Sequence, residues 1–130
     1  MDYWSRLLGV DPRLVAPVVA GAFLFEAAYP KWFVRVTSGK RSQAEQNALV
    51  AAGKSPSRNS KHVLGLAIDL AICNRDTGEF CSWDFQEYRL LNDQIQAQAD
   101  LMKQQVIWGG DWRSKDGVHW ELVAPALTGA

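Results

Sequence analysis

The chain has 130 residues, of which 48% are hydrophobic and 22% are charged, and this composition is typical of one globular domain with a single core. Its 14 basic and 14 acidic side chains give a formal net charge of zero, so no attraction to nucleic acid or to an anionic membrane surface is expected. The chain has six tryptophans, and we expect most of them in the core or at its rim. We therefore interpret residues 1–130 as one domain.

The first predicted element contains an apolar run over residues 14–25. This run is too short to span a bilayer as a helix, so no stable membrane insertion is expected. Asp11 and Pro12 have the pattern of an N-cap followed by a first-turn proline, which favours a buried helix over residues 12–28. The core of a signal peptide is the alternative interpretation of the same run.

The next segments alternate between strand and helix patterns. Residues 31–37 are β-branched and aromatic and predict a strand. A capping-box sequence at residues 42–45 opens a predicted helix that ends near Gly53, and a polar loop follows over residues 54–61. Residues 64–72 predict a second strand that is apolar on both faces, and such a strand is expected at the centre of the sheet.

The second half of the chain begins with a predicted hairpin. Cys73 and Cys81 flank a turn-forming stretch and are expected to face each other, either as a disulfide or as two reduced thiols. An amphipathic helix is predicted from Asp84 to about Gln105. Three short elements complete the chain: a strand at 106–108, a turn at 109–112 and a strand at 118–123. The whole pattern predicts an α+β fold with a small antiparallel sheet flanked by about three helices.

The two histidines of the chain each lie close in sequence to an aspartate. His62 precedes Asp69 by seven residues, and His119 follows Asp116 by three. Two neutral imidazoles and one carboxylate, with one position left open for water, are typical ligands of a catalytic zinc ion. The segments around both histidines therefore predict a metal site.

Each of these residues also has a structural interpretation. Asp69 lies in the predicted central strand, where an unpaired carboxylate would cost several kcal/mol, so its partner is either a basic side chain or a metal. His119 is either a core histidine or a ligand. Asp116 is either a turn residue or a base that takes a proton from water. Arg41 is either a clamp for a carboxylate or a solvated loop residue, and Glu121 either supports a ligand histidine or is an edge-strand charge.

Together these segments resemble the small zinc peptidases of the D-alanyl-D-alanine carboxypeptidase type. This family includes VanY-like carboxypeptidases and phage endolysins that act as L-alanyl-D-glutamate endopeptidases. Its motifs SGxR, SxHxxGxAxD, GGDW and DxxHxE match, in this order, residues 38–41, 60–69, 109–112 and 116–121. The second and fourth motifs together are a specific signal, and the resemblance extends from about residue 14 to residue 123.

The resemblance implies a hedgehog/D-Ala-D-Ala-peptidase-like fold and a zinc cofactor. His62, Asp69 and His119 would be the zinc ligands, and Asp116 would be the general base.

The substrate side of the site is also implied by the resemblance. Arg41 would hold a substrate carboxylate or the polarised carbonyl oxygen, and Gln46 would line the same cleft. Ser60 would support the loop of His62 at the substrate-binding edge. Lys40 departs from the family pattern, in which a tyrosine or an apolar residue is commoner.

The function implied by the resemblance is zinc-dependent hydrolysis of peptidoglycan stem peptides. The compact length, with no appended wall-binding module, favours an endolysin, and a VanY-type carboxypeptidase is the alternative. The rival class is a non-catalytic binder of cell-wall peptides, against which the retained Asp116 argues. We expect a monomer that is made in the host cytoplasm without a clear signal peptide and acts at the periplasmic cell wall.

Overall fold

The computed structural model describes residues 3–77 and 81–125, and it confirms the α+β class. The helices are α1 (Pro12–Ala28), α2 (Gln43–Ala51) and α3 (Phe85–Leu101). The strands are β1 (Trp32–Ser38), β2 (Ala67–Asn74), β3 (Cys81–Ser82), β4 (Val106–Trp108) and β5 (His119–Leu122). A short 3-10 helix, Tyr3–Leu7, precedes α1, and a second one, Gly109–Asp111, follows β4.

Strand β2 is the centre of an antiparallel sheet with the order β1-β2-β5-β4, as its apolar sequence predicts. It pairs with β1, β3 and β5. Asp69 of β2 lies opposite Ser38 at the end of β1 and opposite His119 at the start of β5. The sheet register therefore brings three of the sequence motifs to one place.

Helices α1 and α3 pack closely against each other. A Cβ atom at Gly21 would lie 2.6 Å from the Cα atom of Ile95, so this crossing requires a glycine in α1. The buried residues of α1 are Leu14, Pro17, Val18, Gly21, Ala22 and Phe25. One face of the apolar run is thus part of the core, whereas Phe23 and Leu24 of the same run are exposed. Among the helices of residues 3–77 and 81–125, none is long and apolar enough to cross a membrane.

The start of α1 has the predicted cap. The Asp11 carboxylate accepts a hydrogen bond from the Arg13 backbone N–H at 2.9 Å and pairs with the Arg13 guanidinium at 2.7 Å. Hydrogen bonding to Arg13 is the largest influence on Asp11 and lowers the pKa of its carboxyl. The Asp11 N–H donates to the carbonyl of Gly65 at 2.8 Å, so the cap also holds the loop that precedes β2.

Several element boundaries differ from the prediction. Strand β2 begins at Ala67 rather than at residue 64, because residues 61–65 form turns in which Gly65 has a φ of +71°. Helix α3 ends at Leu101 rather than near Gln105, and Lys103 has a left-handed φ of 58° just beyond it. The 3-10 helix at Tyr3–Leu7 was not predicted.

The predicted hairpin pairs β2 with β3. Cys73 lies directly opposite Cys81 in the strand register, as expected for residues that flank a turn. Residues 78–80, which belong to the predicted turn, lie outside the described residues.

Four of the six tryptophans lie in the core or at its rim, as predicted for most of them. Trp108 and Trp120 are fully buried, and Trp4 and Trp32 pack against the core. Trp83 is 71% exposed.

Candidate metal centre and active-site cleft

Three side chains from separate parts of the chain meet at the end of β2. His62 comes from the loop before β2, Asp69 from β2 and His119 from β5, and one donor atom of each lies within 4.8 Å of the others. His62 Nε2 lies 3.2 Å from Asp69 Oδ1, and His119 Nδ1 lies 2.9 Å from the same oxygen. The structure therefore brings together the three residues that the sequence predicts as ligands. We refer to these three side chains as the metal group.

Each imidazole is oriented by a second acceptor outside this group. His62 Nδ1 lies 2.8 Å from the carbonyl oxygen of Gly39, and His119 Nε2 lies 2.9 Å from Glu121 Oε1. When these nitrogens donate, His62 Nε2 and His119 Nδ1 present lone pairs towards Asp69. This is the arrangement by which proteins fix the tautomer of a metal-binding histidine. Glu121 thus orients the imidazole of His119.

The donor set fits a zinc ion. Zinc binds imidazole nitrogen and carboxylate oxygen at about 2.0–2.2 Å in tetrahedral geometry, which separates two ligand atoms by about 3.3 Å. The two nitrogen–oxygen distances of 3.2 and 2.9 Å are close to that separation. The three residues leave the fourth position of a tetrahedron to other groups, as in catalytic zinc sites.

The charges in this group are strongly coupled. Burial on its own would raise the pKa of Asp69, but hydrogen bonds and positive charge from His119 and His62 outweigh burial and lower the pKa to about 2. Burial would lower the pKa of His119, whereas its hydrogen bonds to Asp69 and Glu121 raise it to about 9. Without a metal, positive charge on His119 thus compensates the carboxylates around it.

The loop that carries His62 is shaped by its own motif. Ser60 Oγ accepts a hydrogen bond from the His62 N–H at 3.1 Å, and the His62 carbonyl accepts one from the Arg41 N–H at 3.1 Å. Gly65 ends the loop with a φ of +71°, and a Cβ atom there would lie 2.6 Å from the carbonyl oxygen of Gly9. Only glycine satisfies both requirements without strain, which explains its position in the motif.

Asp116 lies in the turn before β5 and lines the same cleft as the three candidate ligands. Its N–H donates to the Gly109 carbonyl at 2.9 Å, and its carbonyl accepts from the His119 N–H at 3.2 Å. Burial, together with the negative charge of Asp69, raises the pKa of the Asp116 carboxyl despite opposing contributions from both histidines. A partly buried carboxyl with a raised pKa beside a metal site is a suitable acceptor for a proton from water.

A buried indole also holds the Asp116 turn. Trp108 Nε1 donates a hydrogen bond to the Gly117 carbonyl at 2.8 Å. The side chain of Trp108 is almost fully buried and stacks on Phe85. The only signal in the sequence for this role of Trp108 is its place directly before the two glycines of residues 109–110.

Arg41 lies beside the metal group, held by three neighbours. Its Nε donates to Ser38 Oγ and its Nη1 to Gln46 Oε1, both at 3.0 Å. Its Nη2 lies 3.5 Å from Asp69 Oδ2. Asp69 therefore has both of the partners considered from sequence, a basic side chain and the candidate metal group.

The resemblance implies that Gln46 lines the cleft, but it is not among the residues that do so. Its side chain is fully buried, and its amide nitrogen donates to Ser55 Oγ at 2.8 Å and to the Ser57 carbonyl at 2.7 Å. Gln46 thus lies behind the cleft, where it holds Arg41 and the loop over residues 55–57. Ser60, by contrast, does line the cleft.

The cleft has a volume of about 340 Å³. His62, Asp69, His119 and Asp116 all line it, and Arg41 lies at one side. The ring of Trp112 lies 5.2 Å from the ring of His119 and forms part of the wall.

Two comparisons with known proteins bear on this site. A family model described as D-alanyl-D-alanine carboxypeptidase matches residues 53–122, which include the three candidate ligands and Asp116. Among solved structures, the Serratia marcescens L-Ala D-Glu endopeptidase ChiX is similar, with a TM-score of 0.76 and 30% sequence identity. The similarity covers 92% of this chain and 85% of that chain.

Proposed function

Since the chain belongs to the D-alanyl-D-alanine carboxypeptidase family of peptidases, we propose that it is a zinc-dependent endopeptidase of peptidoglycan stem peptides. The proposed bond is the one between L-alanine and D-glutamate, on which the similar ChiX enzyme acts by its name. The observation that carries the proposal is the convergence of His62, Asp69 and His119 in a cleft that Asp116 also lines.

The proposed mechanism assigns one task to each residue. His62 Nε2, Asp69 Oδ1 and His119 Nδ1 would hold zinc, which when bound supplies a Lewis acid that makes water more acidic and polarises a carbonyl. Asp116 takes the proton of the water that attacks the peptide carbonyl and then delivers it to the leaving amine. The raised pKa of Asp116 favours its holding that proton between the two steps.

Arg41 has the complementary task at the carbonyl oxygen. Its guanidinium is fixed by Ser38 and Gln46 and lies 3.5 Å from Asp69 Oδ2. A fixed donor at this position stabilises negative charge that develops on the oxygen during attack, without reorganisation of the site. Gln46 contributes indirectly, because it holds the guanidinium in place.

Digestion of purified sacculi by the zinc-loaded protein tests this proposal. We expect fragments with a new C-terminal L-alanine and a new N-terminal D-glutamate, identified by mass spectrometry. Asp116→Asn should lose most of this activity, whereas Asp93→Asn, which alters an exposed carboxylate on α3, should keep it. Release of terminal D-alanine alone would instead support a carboxypeptidase, and binding without any cleavage would support a non-catalytic wall binder.

We also propose a phage-type endolysin role, with synthesis in the cytoplasm and action at the periplasmic wall. The buried face of α1 supports this, because residues 14, 18, 22 and 25 of the apolar run belong to the core and removal of the run as a signal would leave that core incomplete. Expression in Gram-negative cells should leave them intact until the inner membrane is permeabilised. Lysis without permeabilisation would contradict the proposed location.

A further inference from the structure

A second cavity adjoins the active-site cleft. It has a volume of about 550 Å³ and shares Arg41, Leu49 and Lys54 with the cleft as lining residues. Arg41 therefore lies at the boundary of the two spaces, and a peptide bound at the metal group can continue past it. We name this cavity the basic groove, because its charged lining is Arg6, Lys40, Arg41, Lys54 and Glu45.

The positive charge of the basic groove is not balanced by its one acid. Glu45 Oε1 accepts a hydrogen bond from the Ser42 N–H at the start of α2, so this carboxylate caps the helix. Within residues 3–77 and 81–125, no carboxylate lies within 4.0 Å of the Lys40 or Lys54 ammonium group. Both lysine side chains are exposed to solvent. The basic groove thus has two cations that can bind an anion.

Three contacts hold Arg41 at the metal group, where its proposed task is at the scissile carbonyl. Its guanidinium already contacts Ser38, Gln46 and Asp69, and the contact with Asp69 directs it towards the metal group. A substrate carboxylate beside the scissile bond therefore needs donors in addition to Arg41. Lys54 lines the cleft as well as the basic groove, and Lys40 lines the groove directly before Arg41 in sequence, so these two lysines are the donors that the groove offers.

The chemistry of the proposed substrate supplies such a carboxylate. Glutamate has two carboxyl groups, and continuation of the peptide beyond it uses only one of them. Next to the L-alanyl–D-glutamate bond, one carboxylate therefore remains free. We propose that Lys40 and Lys54 form a subsite for this free carboxylate and select acidic over amidated peptides. This inference rests on the proposed function.

Paired peptides test the subsite independently of turnover. N-acetyl-L-alanyl-γ-D-glutamyl-L-lysine and its counterpart with D-isoglutamine differ only in a carboxylate and a carboxamide. Their dissociation constants are measured by calorimetry with the zinc-loaded Asp116→Ala protein, which is not expected to hydrolyse them. We expect the acid to bind about tenfold more tightly at low ionic strength, with a smaller preference at higher salt.

Substitution of the two lysines tests whether they cause the preference for the acidic peptide. Lys40→Gln and Lys54→Gln, each in the Asp116→Ala background, should reduce the preference, and together they should abolish it. Lys40→Arg should retain it, because the charge is kept. Lys31→Gln, which alters an exposed lysine outside both cavities, is the matched control and should change nothing.

The outcomes separate this inference from the proposed function. Equal binding of the two peptides, no binding of either, or a preference that survives the double lysine substitution would overturn the subsite. A preference that depends on the lysines supports it. If the unsubstituted protein then fails to cleave the acidic peptide or sacculi, the proposed endopeptidase activity fails while the subsite stands.

Discussion

Asp69 and His119 lie directly opposite each other on adjacent antiparallel strands, with 2.9 Å between Asp69 Oδ1 and His119 Nδ1, although 50 residues separate them in sequence. The register of β2 and β5 fixes this pair. His62 is added from a loop held by Ser60 and Gly65. The sheet thus supplies two of the candidate ligands on rigid elements, and the loop supplies the third.

Asp116→Asn should separate catalysis from metal binding. The amide has nearly the same shape as the carboxylate but cannot accept the proton, so kcat on stem peptides should fall by about 10²–10⁴-fold. Zinc content, measured by mass spectrometry after gel filtration, should be unchanged, because Asp116 is not among the three converging donors. Activity close to that of the unsubstituted protein would remove Asp116 from the mechanism.

Trp108→Phe should lower activity through the position of Asp116. The variant keeps an aromatic ring in the core but loses the hydrogen bond to the Gly117 carbonyl, and displacement of the base by a fraction of an ångström should reduce kcat about tenfold. Zinc content should be unchanged.

Trp120→Phe is the matched control for this substitution. It removes the hydrogen bond of a similarly buried indole, which Trp120 donates to Asn92 Oδ1 on α3 at 3.0 Å and not to the Asp116 turn. Both variants should lose about 1–2 kcal/mol of unfolding free energy. An equal loss of kcat in the two variants would contradict a positioning role for Trp108.

Gly65→Ala should destabilise the protein more than Gly53→Ala. Both glycines have a φ of +71°, so both substitutions carry the cost of a left-handed alanine, about 1 kcal/mol. A Cβ atom at Gly53 meets nothing within 4 Å, whereas one at Gly65 lies 2.6 Å from the Gly9 carbonyl oxygen. The difference between the two losses of unfolding free energy, measured by urea unfolding, gives the steric contribution at Gly65. Equal losses would show that the His62 loop tolerates a side chain there.

Zinc affinity should depend on pH through His119. Without metal the pKa of His119 is raised to about 9, so below that pH zinc must displace a proton from the imidazole. Between pH 6 and 8, the apparent affinity measured against a competing chelator should rise about tenfold per pH unit for this proton. Glu121→Gln removes one carboxylate that raises this pKa, and the dependence should then level off at a lower pH. A pH-independent affinity would contradict this account.

The sequence predicts most of the fold because its local signals agree with the final structure. The cap at Asp11, the capping box at Ser42 and the apolar run of β2 all lie where the structure has them. The sequence places the start of β2 too early because Leu64 and Leu66 are apolar, and apolarity alone does not reveal a turn that ends at Gly65. Local patterns show which residues are apolar. The turn at Gly65 depends on the close approach of its backbone to the Gly9 carbonyl oxygen, which a local pattern does not show.

The candidate site was predicted from motifs, but its supporting contacts were not. The burial of Gln46 behind the cleft depends on how α2 packs against the loop over residues 55–57, and no spacing along the chain encodes that packing. The bond between Trp108 and Gly117 likewise depends on the pairing of β4 with β5. Such contacts join segments that are adjacent only after folding.

The most direct test of the central claim is anomalous diffraction at the zinc absorption edge from crystals of the zinc-loaded protein. We expect one strong peak about 2.0–2.2 Å from His62 Nε2, Asp69 Oδ1 and His119 Nδ1, and its loss in crystals of Asp69→Ala. A stoichiometric zinc ion bound elsewhere, or a peak at this place that survives Asp69→Ala with full occupancy, would contradict the proposed metal centre.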